Sequence, residues 1–234
     1  MSSSMDLSQY PDVVVAGGLR PALQGRARAL SLDIGRVVVS DGPTAFWNAL
    51  LPGDRGWVSC SLAVGRRAFV VTAACASHAW TSGATGDLTD VVTAVAAWRG
   101  GVTLRDLVTR FVFLEAEPLA QAYEDGNPAQ EAWAYILDPV TWSPVTPPMP
   151  LLEAVHADEV LGRLRPSASS HHRAVTCWLD AYDPSAGTVR IAQEGAAFEV
   201  CASWDDERVH PAATLAEAVA LGSALAAAAP RRRL

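Results

Sequence analysis

The sequence predicts an α+β protein built as two β-β-β-α-like units with mainly antiparallel sheets, joined by a helical middle segment. Three observations predict it. A strand motif, V-[ST]-C-x-L, is written at Val58–Leu62 and again at Val175–Leu179. A Cys-Ala-Ser triplet follows each, at 75–77 and 201–203, with Trp80 and Trp204 shortly after. A helical pattern then opens 13 residues after Cys75, at Leu88, and 14 residues after Cys201, at Leu215. The shared order and near-equal spacing point to one unit used twice, with an insertion in the second copy. A three-stranded sheet under one helix is marginal alone, so two such units must pack together or share the middle helices to reach a workable core. Their short strand connections demand antiparallel pairing.

The elements follow in order. Residues 1–17 read as a disordered or loosely packed start with a short entry segment, YPDVVVAGG. Residues 18–30 form a helix with Leu19, Leu23, Ala27 and Leu30 on one face. Arg36–Gly42 reads as a strand closed by Asp-Gly, and 43–56 as a loop or short helix. Gly56–Val64 and Arg67–Cys75 are strands with a tight turn between them, and SHAWTSG starts a third. Asp87 opens a helix that buries Leu88, Val91, Val92, Val95 and Trp98 and stops at Gly100-Gly101. Thr103, with Asp106 three residues on, opens the next helix, and Asn127 followed by Pro128 opens another. The proline-rich 138–150 is the linker between a first unit, 18–137 with its helical extension, and a second, 151–234. That second unit holds an amphipathic helix (LLEAVHADEVLGRLRP) and strands at 173–182, 188–195 and 196–204. Its terminal helix has Thr214 as cap and Glu217 three residues on.

Composition narrows the function. The net charge of −7 gives nucleic acid no broad basic surface, and the only basic run, Arg231–Arg233, suits a solvated helix end. All 18 basic residues are arginine, in an Ala- and Val-rich chain, which fits a GC-rich bacterial genome. No run of 18 apolar residues predicts a membrane span, and the N-terminus has no secretory pattern. The expected location is cytoplasmic, with four reduced cysteines. Each cysteine stands alone in sequence, so the expected role of Cys60, Cys75, Cys177 and Cys201 is packing, with no metal site and no cofactor.

The polar cluster in the loop Ser167–Ala174 carries the expected chemistry. His171 and His172 are the candidate acid/base pair, with Arg173 as anion clamp and Ser170 and Trp178 lining the substrate. A zinc site there would need a distant third ligand such as His210 or Asp205. The consecutive acids Asp205, Asp206 and Glu207 point apart and read as solvated. Alternation along the strand sets Trp178 opposite Cys177, so one faces in and the other out. Trp57 beside Val58 follows the same rule, and outward tryptophans suggest a binding face or one covered by a helix.

The stretches YPDVVVAGGLRPAL, RRAFVV with DLTDVVTAVAAWRGGVTLRDL, SHHRAVTCW after LRP, and TLAEAVAL together resemble an uncharacterised actinobacterial family. That family is labelled as a natural-product-biosynthesis protein. The resemblance runs from about Tyr10 to the terminal helix, and departs from the family pattern at Ser170-His171-His172, where a small residue is expected after Ser-His. It implies an accessory or tailoring protein of a bacterial natural-product pathway, and it assigns no catalytic residue. The expected partner is a peptide or carrier-bound intermediate, with a base and a shaped pocket able to promote ring formation. The alternatives are a non-catalytic, chaperone-like module for a partner enzyme, and a stand-alone small-molecule enzyme.

Overall fold

The computed structural model describes residues 6–38, 46–138, 140, 148–169, 173–205 and 208–230. The chain divides into two units, 1–124 and 125–234, each with its own apolar core and its own five-stranded antiparallel sheet. The α+β class and the two sheet units are therefore as the sequence predicts.

In the first unit, α1 (Pro11–Ala16) and α2 (Leu19–Ala29) precede β1 (Asn48–Gly53), β2 (Gly56–Leu62), β3 (Phe69–Ala74) and β4 (Ala79–Thr85). Then come α3 (Leu88–Arg99), α4 (Leu104–Arg110), the two-residue β5 (Leu114–Glu115) and α5 (Pro118–Asp125). The strands pair in chain order, each with the next. Alternation decides the faces: Val58, Cys60 and Leu62 of β2 are buried, while Trp57, Ser59 and Ser61 point the other way. Asp87 caps α3 by accepting the Thr89 N–H, and the face Leu88, Val91, Val92, Val95, Trp98 is buried as its spacing requires. Thr103 caps α4 by accepting the Asp106 N–H.

Several segments differ from the sequence reading. The entry segment is packed: α1 ends on Gly17 at φ 85, and Tyr10 and Val13 are core residues. The Tyr10 hydroxyl lies 2.9 Å from the carbonyls of Ala63 and Arg66 and 3.0 Å from that of Ala68, whose N–H it accepts. It thereby fixes the β2–β3 connection, which runs from Ala63 to Ala68 instead of closing in two residues. Residues 48–53, expected in a loop or short helix, are strand β1, because Ala49 and Leu51 fill the core when paired antiparallel to β2. Of the strand expected at 36–42, Val38 makes one bridge to Leu50 and 39–42 lie outside the described residues.

In the second unit, α6 (Pro128–Leu137) and α7 (Met149–Ala157) precede β6 (Arg165–Ser169), β7 (Ala174–Trp178), β8 (Thr188–Glu194), β9 (Ala197–Ala202), β10 (Val209–Ala212) and α8 (Leu215–Ala227). The boundary at 124/125 puts α6 in this unit, where the sequence reading placed it in the first. Trp133 is the reason: buried in the second core, it donates its indole N–H to the Leu164 carbonyl at 3.1 Å. Asn127 stands at the N-cap of α6 but its side chain makes no capping bond. Most of the proline-rich 138–150 lies outside the described residues. The helix expected to continue to Pro166 stops at Ala157. Asp158 accepts the N–H groups of Val160 and Leu161, and a 3-10 turn at Leu161–Arg163 leads into β6. On α8, Gly222 sits against Ile191 and Leu161, so closely that a Cβ would meet the Ile191 side chain at 3.0 Å.

The two five-stranded sheets do not place both sequence motifs alike. Counting back from the helix, Cys75-Ala-Ser lies between β3 and β4, ahead of α3. Cys201-Ala-Ser runs from the end of β9 toward β10, ahead of α8. Those positions correspond. The V-[ST]-C-x-L strands do not: β2 lies two strands before α3, whereas β7 lies three before α8. The correspondence that keeps strand order sets β2 against β8, and the second motif match arises because both are half-buried strands of one pattern.

Candidate functional site

Of the residues singled out from the sequence, Arg173 immediately precedes β7 and Trp178 ends it. Ser170, His171 and His172 fall outside the described residues. Arg173, at φ 43, reaches Gln193 with a 3.3 Å hydrogen bond. Trp178 is half-buried on the face opposite the buried Cys177, and its indole N–H donates to Ser167 Oγ at 3.2 Å. The Arg165 guanidinium lies 5.7 Å from the Trp178 ring. Arg173 precedes β7 and Trp178 ends it, so about 16 Å of extended backbone separates them. A clamp and a wall at opposite strand ends do not close one small pocket. His210 and Asp205 bind each other at 2.8 Å, and Asp206 and Glu207 lie outside the described residues. Among the described residues no three His, Cys, Asp or Glu side chains converge to hold a metal ion.

The first sheet presents a different surface. The strands β1 to β4 contain no charged residue, in a chain that is 18% charged. Their inner face supplies the core, and their outer face carries Leu50, Trp57 and Val70 among Ser59, Ser61, Thr72 and Ser82. Leu50 and Val70 are each 37% exposed and Trp57 39%. The nearest charge in the sheet is Glu115 on β5, across from Ser82.

One end of this sheet is built from aromatic rings and a partly buried ion pair. The Arg55 guanidinium lies 3.5 Å from the Trp98 ring and 4.9 Å from the Trp80 ring, and donates to Glu124 at 2.6 Å and to the Val102 carbonyl at 3.1 Å. Glu124 also accepts the Leu104 N–H with both oxygens, which ties α5 to the start of α4. The Trp80 indole N–H returns to the Arg55 carbonyl at 3.0 Å. A cavity of about 140 Å³ opens beside this cluster, lined by Leu51, Asp54, Arg55, Trp57, Trp98 and Arg99.

A tight turn at the same end joins β3 to β4. The Cys75 N–H donates to the His78 carbonyl at 2.9 Å, which brings three side chains together. Cys75 Sγ is 3.3 Å from His78 Nδ1 and 3.2 Å from Ser77 Oγ, and Ser77 Oγ is 2.9 Å from His78 Nδ1. The imidazole stacks on Tyr123 at 3.6 Å and 7°, with the Trp80 ring against it at 4.1 Å. The sequence reading set His78 on a strand and gave Cys75 a packing role. The available signal was C-A-S-H itself, whose three-residue spacing closes a turn that faces a thiol with an imidazole. The packing role holds for Cys60 and Cys177, which are buried, with burial pushing both thiols up to about 12. All four cysteines are free thiols.

No protein-family model, characterised protein or solved structure matches this chain.

Proposed function

We propose that this chain is an accessory binding protein of a natural-product pathway, which holds an extended peptide or carrier-bound intermediate on the outer face of the first sheet. The observation that carries the reading is the charge-free run of β1 to β4 with Trp57, Leu50 and Val70 exposed on it. An uncharged, partly apolar sheet face is a liability in water unless something covers it. The residue types here are those of an interface centre: an aromatic anchor, aliphatic side chains and short hydroxyls, with charge kept to the rim at Glu115. The pathway assignment rests on the family resemblance alone.

Calorimetry with the peptides and carrier proteins encoded beside this chain tests the reading. The wild type binds one of them, and Val70→Glu, which puts a carboxylate mid-face while the circular dichroism spectrum stays unchanged, weakens binding by about tenfold or more. Equal binding by both proteins rejects the face, and no binding by the wild type rejects the accessory role. On this reading the double substitution His171→Ala, His172→Ala leaves the affinity unchanged. Loss of a cyclised product in the double variant, with binding intact, would instead assign ring formation to that loop.

A further inference from the structure

We propose that Cys75 is a nucleophilic thiol activated by His78, and that it is a modification site for low-molecular-weight disulfides. The inference does not depend on the binding role proposed above.

The four thiols sort by surroundings. Cys60 and Cys177 are sealed in the two cores. Cys75 and Cys201 are half-buried, within reach of solvent. Cys201 stands across from Arg190 in its sheet, while Cys75 has an imidazole nitrogen at 3.3 Å and a hydroxyl at 3.2 Å. A nucleophile beside a base whose ring is held by further contacts is the arrangement that activates thiols. Here the ring is held by the Tyr123 stack and the Trp80 edge, so the imidazole is in place before any reactant arrives.

The step balances without any other partner. With the ring hydrogen on Nε2, His78 Nδ1 accepts the Cys75 proton. The thiolate attacks one sulfur of a disulfide R–S–S–R; a Cys75–S–S–R bond forms and the R–S–S–R bond breaks. Cys75 is oxidised, the departing RS⁻ is the reduced product, and it takes the proton from His78. The adduct would stand in the turn between β3 and β4, beside the imidazole that Tyr123 and Trp80 hold.

The test compares two half-buried thiols in one folded full-length chain. Iodoacetamide labelling at neutral pH, read by peptide mass spectrometry, is expected to modify Cys75 about tenfold faster than Cys201. Glutathione disulfide is expected to add to Cys75 first. His78→Asn should slow Cys75 by about the same factor and leave Cys201 unchanged. Equal wild-type rates at Cys75 and Cys201 overturn the proposal whatever the fold of the variant. So does a folded His78→Asn protein in which Cys75 reacts as fast as before, or a glutathione adduct confined to Cys201.

Discussion

Tyr10 shows how much one hydroxyl can organise. It sits against Phe69 in an edge contact at 5.7 Å, and its oxygen holds both ends of the β2–β3 connection. Tyr10→Phe keeps the ring and strands the Ala68 N–H, so a loss of about 1–3 kcal/mol is expected in denaturant unfolding followed by circular dichroism. Asp12, two residues on, accepts two hydrogen bonds from the Arg67 guanidinium at 2.8 and 2.9 Å. The Arg67 hydrogen bond holds the Asp12 carboxyl below its ordinary value. A depressed carboxylate stabilises the fold above its unfolded pKa, and that contribution is lost as pH falls through the folded value. Both side chains are about a third exposed, so screening limits the effect to roughly 1 kcal/mol or less. Asp12→Asn should therefore cost that amount at neutral pH, and the difference from wild type should vanish in acid below the usual carboxylate range. A cost that persists there would assign the effect to packing.

At the scale of elements, caps and alternation do most of the specifying. The terminal helix α8 starts with a full capping box: the Glu217 N–H donates to Thr214 Oγ1 at 3.2 Å, and the Glu217 carboxylate accepts the N–H groups of Ala213 and Thr214. Thr214→Ala should destabilise the second unit by about 0.5–2 kcal/mol, measured as a lower denaturant midpoint. The elements that the sequence reading missed share a cause. β5 has two residues and β10 four, and β6 (Arg165–Ser169) straddles the end of an expected helix at Pro166 and the polar loop that begins at Ser167. Short edge strands bury little, so periodicity has almost nothing to register. β1 contains Pro52, a loop signal in sequence that an edge strand tolerates, and its register partner is Trp57.

The molecule as a whole is two cores on one chain. The first gathers Tyr10 to Ala120, and the second Trp133 to Ala218. A unit with its own core should fold by itself. Fragments 1–124 and 125–234 are expected to give cooperative thermal transitions when expressed separately. A fragment that stays unfolded would show that its core is incomplete. Composition marks the proline-rich 138–150 as a boundary and so groups α6 with the first unit, whereas burial of Trp133, hydrogen-bonded to the Leu164 carbonyl, decides membership.

What the sequence determined alone was the α+β class, the inward cysteines of β2 and β7, the outward Trp57 and Trp178, and the caps Asp87, Thr103 and Thr214. Each is local, fixed by alternation or by a side chain reaching a backbone N–H within three residues. The tertiary structure decided the rest. It set Arg55 between two tryptophans and Glu124, turned Cys75 toward His78 against Tyr123, and joined the uncharged strands into one exposed face. These depend on register between strands and on helices tens of residues away, which no local period encodes, because pairing energy is realised only once the chain has closed on itself.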